Sequence, residues 1–162
     1  MQAKPLISMA LGAALWCLAS LAQAQVPQYG ANVTHEQARK ALAGAIAEAR
    51  RMNLPMAVAV VDNAGMLVAF ERMDNTQTAS TAVAQDKAAS AAMYRRPTKV
   101  FQDVLAGGGV GLRVLTLRGA SAVEGGLPLV VDGKIIGGLG VSGGTSEQDG
   151  VVAKGGVDAL GK

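Results

Sequence analysis

The side chains able to do chemistry in this sequence are few and lie far apart. His35 is the single imidazole. Asp86 and Lys87 interrupt an apolar, alanine-rich run. Beside a ligand they could move a proton, provided burial lowered the lysine pKa; away from one, they read as an ion pair or a polar subunit contact. Arg95-Arg96 offers two guanidinium forks that can grip a carboxylate bidentately, or remain solvated ahead of a helix stop. The segment Ser142-Gly143-Gly144-Thr145-Ser146-Glu147 joins an apolar run to a helix start. Its backbone N–H groups and the helix dipole suit an anion such as a small carboxylate. Against this, Glu147 and Asp149 already complement the dipole, and Thr145 or Ser146 can cap the helix unaided, so the segment also reads as a capped turn. Met52, Met56, Met66, Met73 and Met93 offer thioethers, or fill gaps in the core.

Several chemistries are excluded. With one histidine near the chain start, no Ser-His-Asp arrangement is available, and there is no HExxH, zinc-ligand or Walker spacing. Glu147 and Asp149 stand two apart on a helix, where their side chains diverge and make a poor metal pair. The only cysteine, Cys17, lies in an N-terminal segment with a positive Lys4, an apolar stretch from Leu6 to Leu21, and the A-x-A site Ala22-Gln23-Ala24. That pattern predicts a signal peptide over residues 1–24, cleaved before Gln25, with export to the periplasm or beyond. The run is short for a retained membrane anchor, and Trp16 before Cys17 argues against a lipoprotein signal. The exported chain then has no cysteine, so disulfides, thiolate catalysis and cysteine-ligated metals are ruled out. The net charge of +3 for the whole chain is too small to point to nucleic acid or a membrane surface.

The elements that must position these groups follow from periodicity. After a loose lead-in over residues 25–32, Thr34 and Gln37 form a capping box for an amphipathic helix whose apolar stripe runs from Ala38 to Met52. Met56–Val61 and Met66–Glu71 flank the turn Asp62-Asn63-Ala64-Gly65 and predict a hairpin. Thr78–Met93 predicts a second helix, stopped by Arg95-Arg96-Pro97. Thr98 is expected to cap a short helix over Lys99–Ala106, and Arg113–Leu117 reads as a strand. Leu127–Val131 and Lys134–Val141 flank Asp132-Gly133, a strong hairpin signal, and a glycine-weakened helix spans about Ser146–Leu160. Hairpins require antiparallel pairing. The predicted fold is therefore α+β, a mainly antiparallel sheet of about five strands flanked by helices, in a single domain.

Four stretches, VVDNAGMLVAFERMD, AQDKAASAA, RRPT and GGLPLVVDGKIIGGLGVSGGTSEQD, together resemble the GlcG/HbpS family of haem-binding-type domains. The resemblance runs from about Val33 to Leu160, and a domain is placed over residues 33–162. It implies an antiparallel sheet flanked by helices and a larger homo-oligomer; some such proteins bind haem or a corrinoid-linked partner domain, and some are exported. For this chain it implies haem or a related tetrapyrrole as ligand, near Ser142–Glu147 with Arg95 and Arg96, and His35 or another donor as axial contact to the iron. No metal is expected beyond that iron. Two further readings stay open: an enzyme on a small hydroxy- or oxo-carboxylate using Asp86 or Lys87, and a non-catalytic oligomeric partner protein.

Overall fold

The computed structural model describes residues 26–161. The predicted signal segment 1–24 and its cleavage site lie outside the described residues.

Helix α1, His35–Arg51, starts in the predicted capping box: Gln37 N–H donates to Thr34 Oγ1 at 3.2 Å and Thr34 N–H to Gln37 Oε1 at 2.9 Å. Its buried stripe is Ala38, Ala41, Leu42, Ala45, Ile46 and Ala49. Strands β1, Ala57–Val61, and β2, Leu67–Arg72, form the first hairpin. Its turn is held by Asp62 Oδ1, which accepts from Ala64 N–H at 2.8 Å and Met66 N–H at 2.9 Å. Helix α2, Ser80–Tyr94, ends at Arg95, which takes the left-handed conformation at φ 55°. Helix α3, Lys99–Ala106, is followed by a 3₁₀ segment, Gly109–Thr116. Strands β3, Gly126–Val131, and β4, Lys134–Ser142, are joined through Asp132 and Gly133, both at positive φ, as a two-residue primed turn requires. Helix α4 spans Ser146–Leu160.

The sheet has the order β2-β1-β4-β3 and every pairing is antiparallel. It has four strands, in keeping with the expected architecture, but Arg113–Leu117, read above as a strand, is not one of them. That stretch belongs largely to the 3₁₀ segment, whose polar groups find local partners: Gly111 N–H donates to Gly108 O, Leu117 N–H to Val114 O, and the Thr116 hydroxyl to Arg113 O. A second correction concerns Thr98. It does not cap α3 with its side chain; its backbone N–H donates to Gly126 O and its Oγ1 accepts from Gly126 N–H at 2.9 Å, clamping β3 to the start of α3. The lead-in is also pinned, since Gly30 N–H donates to Ile135 O and Ile135 N–H to Gln28 O at the start of β4.

Three layers result. Helices α1 and α4 cover one face of the sheet, burying Val58, Val60, Leu129, Ile136, Leu139 and Val141. Helix α2 covers the other, with Ala84, Ala88 and Ala92 against Ala57, Ala59 and Val61. Both faces of β1 are covered, which is why it reads as an unbroken apolar run. Helix α2 lies almost directly on the sheet backbone: a Cβ at Gly140 would come within 2.1 Å of Ala84 O, and one at Gly138 within 2.3 Å of Ala88 O. The glycines of α4 serve a similar approach, since a Cβ at Gly156 would sit 2.8 Å from Ala41 O of α1. Packing between helices thus offsets their poor helix propensity.

Candidate functional site

The loop Ser142–Glu147, between β4 and α4, closes over a buried ion pair. Lys87 projects from α2 and Asp149 from the first turn of α4; Lys87 Nζ lies 2.6 Å from Asp149 Oδ2, and the two side chains are only 1% and 4% exposed. Lys87 also donates to Val141 O at 3.0 Å. Asp149 Oδ1 accepts from Gly144 N–H at 3.0 Å. Burial pushes the Asp149 carboxyl above the ordinary aspartate value, while Lys87 and the N–H groups of Gly144 and Gly143 pull the other way.

The N–H groups of Gly144 and Thr145 are therefore already engaged within the chain. Thr145 N–H donates to Gln148 Oε1 and Gln148 N–H to Thr145 Oγ1, a second capping box. The exposed Glu147 carboxyl is held below its usual range by its own backbone N–H and by Thr145. Ser142 is buried and its hydroxyl donates to Ser80 Oγ at 3.0 Å. Ser146 opens α4 and is half-buried. The nest does hold an anion, but that anion is the chain's own Asp149, neutralised by Lys87. Sequence reasoning treated Asp149 as a dipole partner and missed this pairing; the signal available was a lone lysine on an alanine face and an aspartate in a family-specific block.

The remaining candidates are dispersed. His35 is exposed at the start of α1. This end of α1 adjoins the beginning of β4 through Val33 N–H and Ile136 O, whereas the Ser142–Glu147 loop follows the far end of β4. Arg95 and Arg96 turn to separate aromatic rings, Arg95 over Tyr29 at 5.3 Å and Arg96 over Phe101 at 5.6 Å. The Tyr29 hydroxyl in turn donates to Ala92 O and Met93 O at the end of α2. Asp86 and Lys87 point apart: Lys87 inward, Asp86 exposed at the edge of a groove of about 480 Å³ lined also by Ala89, Met93, Gly119, Ala120 and Ser121. Met56 is fully buried, Met52 and Met73 pack against the core, and Met66 and Met93 are exposed. Among the described residues no group of three His, Cys, Asp or Glu is placed to hold a metal ion.

Comparison with known proteins fits this architecture. Residues 33–158 match the family described as "Haem degrading protein HbpS-like". Protein GlcG of Escherichia coli K12 is 37% identical over 110 residues, covering 68% of this chain and 81% of GlcG. Among solved structures, a double mutant of HbpS from Streptomyces reticuli superposes with a TM-score of 0.75 at 28% identity, covering 83% of this chain and 91% of that one. The PduOC:heme complex superposes with a TM-score of 0.71 at 29% identity, covering 79% of this chain and 94% of that one. With residues 33–158 matched, the chain belongs to the HbpS-like family.

Proposed function

We propose that this chain is an exported small-ligand-binding protein whose ligand is haem or a related tetrapyrrole, acting as a homo-oligomer. The observation that carries the ligand is the likeness to PduOC, a protein solved in complex with haem, over 79% of the chain. The apolar residues left on the surface support the assembly: Val110 is 76% and Leu115 70% exposed, with Val100, Val104, Leu112 and Leu117 exposed on the same α3–3₁₀ region. Export rests on the signal-peptide pattern of residues 1–24.

An acid–base enzyme has less support, because Lys87 is committed to Asp149 and Val141 and stands apart from Asp86. The test is a haemin titration of the purified chain from Gln25, followed at the Soret band with the oligomer mass measured in parallel. Saturation at one haem per subunit, or at a simple fraction of the oligomer, is the expected result. Weak, non-saturating binding would remove haem as the ligand, and a specific thermal stabilisation by a small hydroxy- or oxo-carboxylate would then favour the enzyme reading.

A further inference from the structure

We infer that two copies of this chain dock across a two-fold axis, the 3₁₀ segment of each seated in the groove along the outer face of α2 of the other. Arg113 of one copy then pairs with Asp86 of the second. This inference rests on the homo-oligomer reading above and assigns it two surfaces and a charge pair. The 3₁₀ geometry itself builds the docking ridge. With three residues per turn, side chains at i and i+3 stand one above another, so the segment Gly109–Thr116 presents three columns. One column turns to α3: Val114 is 5% exposed, and a Cβ at Gly111 would run into Val104 O. The other two columns are left facing outward. Leu112 and Leu115 stand in one, Val110 and Arg113 in the other, and all four are exposed.

The acceptor groove comes next in the chain. Residues 119–121 form one wall, tied to α2 because Ser121 N–H donates to Ser90 Oγ at 3.0 Å and the Tyr94 hydroxyl donates to Arg118 O at 2.7 Å. Asp86, Ala89 and Met93 form the other, at helical spacing on the side of α2 turned away from the sheet. Ridge and groove are thus neighbours on one chain, as a self-complementary two-fold contact requires: each copy gives its ridge and receives the other's. Their chemistry matches. The groove sets Ala89, Met93 and Ala120 beside one carboxylate and no cation, whereas the ridge sets apolar side chains beside one guanidinium. Among the described residues, neither Asp86 nor Arg113 has an ion-pair partner within its own chain. Docking joins these two free charges twice, once on each side of the axis, and removes the leucines from water. Arginine suits such a place, since its guanidinium is planar and more weakly hydrated than an ammonium. A second copy is the occupant because this one chain carries both the ridge and its complement.

The test is analytical ultracentrifugation of the purified chain from Gln25 over a concentration series, with circular dichroism confirming each fold. Wild type is compared with Arg113→Asp, Asp86→Arg and the double variant Arg113→Asp/Asp86→Arg. Each single reversal sets like charges against each other at both ends of the contact and should raise its dissociation constant about tenfold or more. The double variant restores the pair with its sense exchanged and should return toward the wild-type value. Proximity is read separately, because the chain from Gln25 has no cysteine of its own. Under mild oxidation, a mixture of Asp86→Cys and Arg113→Cys should form covalent dimers faster than either variant alone. A wild-type oligomer that the single reversals leave intact, or that the double reversal does not restore, would overturn this docking while leaving the homo-oligomer reading in place. A wild-type chain that stays monomeric at every concentration would overturn both.

Discussion

Removing the lysine from the buried pair is the most direct test of what holds the Ser142–Glu147 loop. In Lys87→Met the apolar volume is roughly kept, but Asp149 loses its 2.6 Å partner and keeps the 3.0 Å hydrogen bond from Gly144 N–H. Breaking a buried ion pair from one side costs about 3–5 kcal/mol, a large part of a typical stability of about 5–15 kcal/mol. The loss should depend on pH. Burial already lifts the folded Asp149 pKa above its ordinary 3.8, and Lys87 is the largest influence opposing that rise. A carboxyl raised in this way favours the folded state below its unfolded pKa, and that contribution disappears as pH rises through the folded value. Without Lys87 the folded value climbs further and the window widens. The deficit of Lys87→Met against wild type should therefore grow as pH rises past the wild-type folded value of Asp149, by up to about 1.4 kcal/mol per unit. Urea unfolding across this range measures it, with an unchanged m-value as control, and carboxyl NMR follows Asp149 itself. The double variant Lys87→Met/Asp149→Leu should recover much of the loss, since Gly144 is exposed and its N–H can turn to water. A deficit under about 1 kcal/mol, a flat pH dependence, or strictly additive single losses would refute the reasoning.

Three further outcomes are expected. Thr145→Ala removes the side chain that accepts from Gln148 N–H and should cost about 1 kcal/mol by chemical denaturation, with faster amide exchange in the first turn of α4. Gly140→Ala drives a methyl against Ala84 O and Ala88 N of α2 and should cost about 3 kcal/mol or more, whereas Gly133→Ala, in open space, is penalised only by its positive φ. Leu115→Asp, on the exposed α3–3₁₀ surface, should shift the proposed homo-oligomer toward smaller species in light scattering without altering circular dichroism.

Local chemistry was legible in advance wherever it was decided locally. The capping box at Thr34 and the Asp62–Gly65 and Asp132-Gly133 turns all rest on groups within a few residues of one another, and each stands where periodicity and turn preference put it. Arg113–Leu117 misled because a short apolar run satisfies a strand pattern and an exposed 3₁₀ segment equally well, and only the absence of a neighbouring strand separates them. Thr98 misled for a related reason, since its partner Gly126 lies 28 positions away.

The candidate site divides along the same line. Sequence alone determined the family block, the residue types available for chemistry, and the lack of a second histidine or, beyond Cys17, any cysteine. It could not reveal that Lys87 and Asp149, 62 positions apart, meet beneath the loop. It also could not reveal that Arg95 and Arg96, adjacent in the chain, part toward Tyr29 and Phe101. Nor could it show that Met93 faces a groove walled by residues 119–121. Caps and turns are settled by short-range hydrogen bonds that the local sequence encodes. The pairing of a buried charge is settled by which elements the sheet brings into contact, and that is a property of the packed whole.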